Sequence, residues 1–192
     1  MALIEFNLDP VDHITVDALG KPGNRVFYIQ GRKDAEVVSL IIEKIQLQSL
    51  TLGIPDFFEE IQKRFPDLAP APEVDLQEEQ MRMQPPVDPK FRVGNLGLAY
   101  DDDRDLVCII ARELQYSEPQ EEKDEEEGEE EDEEEGGIVR YWCTRQQLAA
   151  LSRWGVIVTE SGRPICPQCQ QPMEPEGHFC PKKNGHKRPT SG

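Results

Sequence analysis

Three cysteines near the C-terminus have the spacing of metal ligands. Cys166 and Cys169 are separated by two residues, and Cys180 follows further on. A Cys-x2-Cys pair forms a tight turn whose two thiolates point at one metal ion, while a tetrahedral site takes four ligands. The spacing therefore predicts a zinc site that is completed by Cys180 and a histidine.

Two histidines compete for the fourth position of this site. His186 follows Cys180 with five residues between them, and Asn184-Gly185 is a turn that would bring the imidazole back to the metal. His178 is the alternate ligand, because residues two apart on a strand face the same side. We prefer His186 and keep His178 as the alternative.

The composition of the tail gives an energetic reason to expect a metal ion. Residues 162–188 contain few apolar side chains, namely Ile165, Met173 and Phe179. They bury too little area to offset chain ordering, which costs roughly 1.5 kcal/mol per residue. Structural zinc contributes about 10–16 kcal/mol in isolated finger peptides. We therefore predict that residues 161–192 form a zinc-ribbon-like tail around a structural ion.

Two other interpretations of the cysteine pair fit less well. A redox pair of the thioredoxin type would open a helix, which Pro164 and Pro167 disfavour. A catalytic zinc ion needs an open position beside a base, and no histidine-glutamate motif lies near the cysteines. The other two cysteines, Cys108 and Cys143, lie in apolar strand-like runs, which favours reduced core thiols.

The charge of the chain is concentrated in one segment. The net charge is −17, but residues 121–135 hold 13 acidic residues and one lysine, which leaves a mildly acidic remainder of −5. A broad electrostatic footprint for nucleic acid is therefore absent. A small basic cluster follows the last cysteine and is a candidate contact for a nucleic acid alongside the zinc module: Lys182, Lys183, Lys187 and Arg188.

The sequence carries no membrane or export signal. No apolar run approaches the roughly 20 residues that span a bilayer. Residues 1–10 lack the basic and apolar regions of a signal peptide. We therefore expect a cytoplasmic protein without a membrane partner.

Strand-like patterns dominate the segments that must position the tail. Alternating or continuous apolar runs predict strands at 4–8, 13–19, 25–30, 36–42, 91–100, 106–111 and 138–143. Short connections favour a meander for the first four. The predicted fold class is α+β, with a mostly antiparallel sheet covered by two helical regions.

Helical periodicity marks two segments. In residues 47–65, Gly53 and Pro55 interrupt the pattern, so two helical pieces are expected there. The second segment, Thr144–Trp154, begins with a capping box between Thr144 and Gln147. Gly155 would end that helix, and the residues that follow it, Val156-Ile157-Val158, would form a short strand.

Composition divides the chain into a core and two irregular segments. Residues 1–160 form the predicted α+β core domain. Within it, residues 66–89 hold six prolines and are expected to be a linker. Residues 118–137 are expected to be a disordered acidic loop, which a hairpin tolerates because closure entropy grows slowly with loop length.

A second group of polar residues suggests an alternative function. Arg25 follows Gly23 and Asn24, and such an arginine binds a phosphate or pairs within the structure. If Arg25 shared a cleft with Glu43, Gln46 or Arg92, the chain would be an enzyme or ligand-binding protein acting on a phosphorylated small molecule.

Several blocks resemble a bacterial family catalogued as domain of unknown function 3090. The most specific block runs from Gly162-Arg-Pro-Ile-Cys166-Pro-Gln-Cys169 through Gly177-His178-Phe-Cys180 to His186. Other matching blocks are Asp9-Pro10, Gly20-Lys-Pro-Gly-Asn-Arg25-Val-Phe27, Gln30, Glu43-Lys44, Gln46, Phe91-Arg-Val-Gly94, Leu98, Tyr100-Asp101 and Thr144-Arg145-Gln146. The usual member has glycine in place of Gln170, and the acidic insertion is not typical. The resemblance implies a bacterial cytoplasmic protein and supplies no reaction.

These observations favour a binding function over catalysis. No catalytic motif stands out, so we expect a non-enzymatic zinc-containing module whose tail contacts a protein or a nucleic acid. The phosphorylated-ligand function remains the alternative. The spacing of residues does not predict the oligomeric state.

Overall fold

The computed structural model describes residues 4–70, 73–115, 136–162 and 166–171, together with Met173, Cys180 and Lys182. The strands in this part of the chain are β1 (Glu5–Leu8), β2 (His13–Lys21), β3 (Asn24–Lys33), β4 (Glu36–Ile42), β5 (Pro89–Asp101), β6 (Leu106–Glu113) and β7 (Ile138–Thr144). The helices are α1 (Lys44–Arg64), a short 3-10 helix (Glu78–Met81) and α2 (Arg145–Glu160). The α+β class and two helical regions are confirmed.

The seven strands form one mixed sheet in the order β1-β7-β6-β5-β4-β3-β2. The β2-β3-β4 and β5-β6-β7 pairings are antiparallel, as expected. The β1–β7 and β4–β5 pairings are parallel, so the sheet is mixed, which corrects the prediction of a mostly antiparallel sheet. The prediction of a meander is wrong for β1, which leaves the other N-terminal strands and pairs with β7.

The short connection between β1 and β2 forces the sheet to curl. These two strands lie at opposite ends of the sheet. If the sheet were flat, β1 and β2 would be about 29 Å apart at the usual strand spacing. The five steps from Leu8 to His13 span at most about 17 Å. The connection bridges the two ends instead, because the Val11 N–H donates to Trp142 O and the Asp12 N–H donates to Arg32 O, both at 2.8 Å.

A tyrosine crosses the concave interior of this curled sheet. Tyr141 of β7 is fully buried, and its hydroxyl donates to the carbonyl of Val38 in β4 at 3.2 Å. Its ring lies against Gly31 of β3, where a Cβ would stand 2.3 Å from the Tyr141 Cδ1 atom. Only glycine at position 31 allows the ring to pass this closely.

Helix α2 covers the open edge of the sheet at β2. Its buried Trp154 donates from Nε1 to Val16 O at 2.7 Å, which satisfies a carbonyl of the edge strand. The helix begins with the predicted capping box of Thr144 and Gln147. It continues to Glu160, so the predicted end at Gly155 and the predicted strand after it are wrong.

Gly155 lies inside α2 because the two helices cross there. A Cβ at Gly155 would stand 2.1 Å from Thr51 Cγ2 of α1, and the missing side chain lets the helices approach. The rule that glycine ends a helix is overridden by this packing.

Helix α1 is continuous, which corrects the prediction of two helical pieces. Pro55 lies within it and cannot donate a hydrogen bond to the carbonyl of Thr51, four residues earlier. The hydroxyl of Ser152 in α2 donates to that carbonyl at 2.7 Å. A contact between the helices therefore replaces the hydrogen bond that proline removes.

The described part of the proline-rich segment lies against the convex face of the sheet. Gln30 is buried and pairs through its amide with the backbone of Gln84, at 2.8 and 2.9 Å. Thr15 donates to Met81 O, and His13 Nε2 donates to Gln80 O at 2.6 Å. A row of polar side chains on the sheet therefore binds the backbone of this segment.

No helix among the described residues has the length and apolar character needed to cross a bilayer.

Candidate metal centre

The cysteine segment begins just beyond the end of α2. After Gly162, the described residues 166–171 form a tight turn in which the Gln170 N–H donates to Cys166 O at 2.9 Å. The Cys166 N–H donates to Gln171 O at the same distance. Gln170 has a φ of +62°, a left-handed conformation that favours glycine. Gln170 is therefore the left-handed residue of this turn.

The turn brings Cys166 and Cys169 together, and Cys180 joins them. The three Sγ atoms all lie within 4.8 Å of one another. The Cys166 and Cys180 Sγ atoms are 3.9 Å apart, and both side chains are buried. Zn–S bonds of about 2.3 Å in a tetrahedral site separate sulfurs by about 3.8 Å. The three thiols therefore fit the geometry of one tetrahedral metal ion.

Backbone N–H groups stabilise the thiolate form of one of these cysteines and so lower its pKa. The N–H of Cys169, and then that of Gln168, lower the pKa of Cys166 to about 7. Burial raises the pKa of Cys169, so Cys166 loses its proton before Cys169 does. A thiolate is the form that binds a metal.

The other two cysteines are in a different environment. Burial raises the pKa of Cys108 to about 11 and that of Cys143 to about 12. Cys143 Sγ donates to Val107 O at 3.4 Å within the sheet. Both thiols are free and buried, which confirms their place in the core.

Both histidines proposed as fourth ligand, His186 and His178, lie outside the described residues. The basic residues beyond Lys182 and the acidic run do so too. Lys182 itself is exposed.

The residues proposed for a phosphorylated ligand are engaged within the protein. Arg92 pairs with Glu43 at the start of α1. Gln46 completes the α1 capping box and donates to Val93 O at 3.2 Å and to Gly94 O at 3.0 Å. Arg25 instead donates to Val158 O at 3.2 Å, near the end of α2, and lies over the Phe27 ring.

The structure therefore groups Glu43, Gln46 and Arg92 around the first turn of α1. Arg25 contacts the last turn of α2. These contacts are structural, and they give no support to a phosphate site at Arg25.

Sequence reasoning missed a polar cluster at the other end of the helices. Asp105 accepts two hydrogen bonds from Arg145, at 2.7 and 3.0 Å, and one from the Tyr100 hydroxyl at 2.8 Å. Burial, and then Asp105, raise the pKa of Tyr100 to about 12, while Arg145 lowers the pKa of Asp105. The cluster ties the β5–β6 turn to α2, and no local pattern links residues so far apart in sequence.

A groove between α1 and β5 was also missed. It encloses about 590 Å³ and is lined from α1 by Ile45, Gln46, Ser49, Leu50, Gly53 and Phe57, and from β5 by residues 94–98. The available signal was one aliphatic residue of the groove, Ile45, that lies outside the buried stripe of α1.

The fold and the cysteine cluster define an α+β protein with a mixed sheet and a C-terminal site that could hold a metal ion. The chain belongs to the family described as protein of unknown function (DUF3090), which it matches over residues 6–180. The family resemblance is thereby confirmed. Neither the curated proteins nor the solved structures contain a match to this chain.

Proposed function

We propose that this chain is a non-enzymatic binding protein whose C-terminal tail folds around a structural zinc ion. The convergence of the Cys166, Cys169 and Cys180 Sγ atoms within 4.8 Å carries the proposal. The fourth ligand is His186, with His178 as the alternate.

The donor set favours zinc in a structural role. Thiolates are soft ligands that select zinc over the hard cations magnesium and calcium. Sites with three cysteines and one histidine are closed, so they leave no position for a substrate. The burial of Cys166 and Cys180, at 5% and 4% exposure, agrees with a closed site.

The surface beside the site suggests the kind of partner. Lys182 is exposed two residues after Cys180, and Lys183, Lys187 and Arg188 follow in the sequence. A zinc-folded tail would hold this basic cluster at a fixed place on an otherwise acidic protein. The partner is therefore an acidic surface, either of a protein or of a nucleic acid.

The metal is tested by measuring zinc per chain in protein purified under reducing conditions. We expect about one zinc ion per chain, as a single four-ligand site holds. His186→Ala should lose most of it, while His178→Ala should keep it. The reverse result would exchange the two histidines, and no metal in the unmodified protein would overturn the proposal.

The partner is tested by capture experiments with the full chain and with a Lys182→Glu/Lys183→Glu variant. The matched control is Lys63→Glu, because Lys63 is exposed on α1 and pairs with the equally exposed Glu59. We expect the tail variant to lose the partner and the control to keep it. A nucleic-acid partner would show binding that falls steeply with salt. Equal capture by both variants would contradict a role for the basic cluster.

A further inference from the structure

Two large aliphatic side chains stand out on the surface of α1. Ile45 is 68% exposed and Leu52 is 66% exposed, the highest values for large apolar residues in the part of the chain that the structure describes. They are seven residues apart, which is two helical turns, so they lie on one face. The buried residues of α1, from Leu47 to Ile61, lie on the opposite face.

The surface between these two side chains is flat and open. Ser49 and Gly53 lie between and beside them, and a Cβ at Gly53 would meet no atom within 4 Å. Small residues at a contact let a second helix approach at the short end of the usual 8–10 Å range. The groove towards β5 continues this apolar surface past Phe57 to Leu98.

Positive charge lies at the start of α1, and a group of acidic residues lies further along the helix. The first turn of α1 contains Lys44 and no acidic residue, and its free N–H groups add partial positive charge. Glu43, just before it, is paired with Arg92. Further along, on the face of Ile45 and Leu52, come Asp56 and Glu60, together with Glu59, which pairs with Lys63 of the basic last turn. Such a face complements itself when two copies meet in antiparallel orientation.

We propose that two copies of this chain associate through their α1 helices, packed antiparallel about a two-fold axis near Gln48 and Ser49. In such an isologous contact each residue pair occurs twice. Ile45 of each copy then packs against Leu52 of the other. Asp56 of each copy lies beside the first turn and Lys44 of the other.

The buried area that a stable dimer needs determines which surfaces the second copy must cover. A stable interface buries roughly 1,200–2,000 Å² in total, which is more than one stripe of a helix provides. The second copy must therefore also cover the α1–β5 groove, including Leu96 and Leu98, which are half-buried. The groove adds the buried area that the α1 stripe alone does not provide for a stable dimer.

Sedimentation velocity over a wide range of protein concentration tests the contact. We expect the unmodified protein to shift from monomer to dimer with concentration. Leu52→Glu should weaken association at least roughly tenfold, because each dimer would then bury two fewer leucines. The matched control is Leu19→Glu, which changes an exposed leucine on β2 and should leave association unchanged. Thermal unfolding confirms that each variant is folded.

Charge reversal tests the orientation. Asp56→Lys and Lys44→Glu should each weaken the dimer, and the double variant should restore it, because the pairing is regained with its signs exchanged. A dimer that ignores Leu52→Glu, or a double variant weaker than both single ones, would overturn the proposal. A monomer at every concentration would overturn it too, and the face would then fit an apolar ligand or a different protein.

Discussion

The core and the cysteine tail of this protein are held together by different forces. The core buries a continuous apolar cluster that includes Tyr141, Trp154 and further residues of both helices. In the described part of the tail, the buried side chains are Cys166 and Cys180. Apolar burial stabilises the core by itself. In the tail, the proposed zinc ion would supply the stabilisation that apolar burial does not, by binding the three thiols that lie together.

The cysteines show the same contrast within one residue type. Burial raises the pKa of Cys143 to about 12, so this thiol behaves as a small apolar side chain. Backbone N–H groups lower the pKa of Cys166 to about 7. The difference lies in the local backbone: a turn directs donors at sulfur, whereas a strand uses its donors in the sheet. Reactivity therefore follows from local geometry and not from burial alone.

The largest expected effect comes from removing one thiol of the tail. Cys180→Ser should abolish stoichiometric zinc binding, because structural zinc contributes about 10–16 kcal/mol through a full ligand set. The thermal transition of the core should stay where it is. Metal per chain and calorimetry on the same sample measure the two effects.

The matched control for this prediction is Cys108→Ala. Cys108 is 1% exposed in the core, so its loss should lower the unfolding temperature and leave the metal content unchanged. If Cys180→Ser also lowered the core transition, the two regions would share their stability, and the distinction between them would fail.

A smaller effect tests the core without touching the tail. Ser152→Ala should reduce the free energy of unfolding by about 1–3 kcal/mol, because the Thr51 carbonyl loses its donor in a buried place. Metal content should not change. Chemical denaturation at equilibrium measures the loss.

A double-mutant cycle with Pro55→Ala tests whether the lost stability comes from the hydrogen bond that Ser152 gives to the Thr51 carbonyl. Alanine at position 55 restores a backbone N–H for Thr51, so Ser152→Ala should cost less in this background. Equal costs in both backgrounds would mean that the Ser152 hydroxyl does not replace the hydrogen bond missing at Pro55.

The strands and the start of α2 were predictable because they depend on local patterns. All seven strands and the capping box at Thr144 follow from alternation and from residues three apart. Pro55 and Gly155 misled the prediction because each has a partner about a hundred residues away in sequence, Ser152 and Thr51. Local rules correctly predict that proline or glycine destabilises a helix interior, but they do not show when a contact with another element offsets that cost.

Pairing between distant strands was also beyond local patterns. The parallel contact of β1 with β7 follows from the curl of the sheet, which no segment encodes alone. The cysteine cluster was predictable, since the Cys166–Cys169 spacing itself restricts where two thiols can point. The surroundings of Arg25 were not, because the Val158 carbonyl that it binds belongs to a helix predicted to have ended.

The smallest predicted effect concerns one backbone angle in the tail. Gln170 has a φ of +62°, where a residue with a Cβ is disfavoured by roughly 1 kcal/mol relative to glycine. Gln170→Gly should therefore tighten zinc binding by a few fold, measured by competition with a chelator. The substitution also removes a hydrogen bond from Gln170 Nε2 to Pro167 O, at 3.2 Å, which is exposed and therefore contributes little.

The adjacent residue provides the control that separates strain from flexibility. Gln171 is exposed and is not among the described residues with positive φ, and its contact with Cys166 uses the backbone carbonyl. Gln171→Gly should therefore weaken zinc binding slightly, since glycine adds disorder to the unbound chain and relieves no strain. If both variants tightened binding equally, looseness of the turn would explain the gain. Opposite effects of the two substitutions on zinc binding would instead show that Gln170 is strained in the folded tail and that metal binding offsets this strain. In the core, by contrast, glycine occupies the positions where packing is closest, as at Gly31 and Gly155.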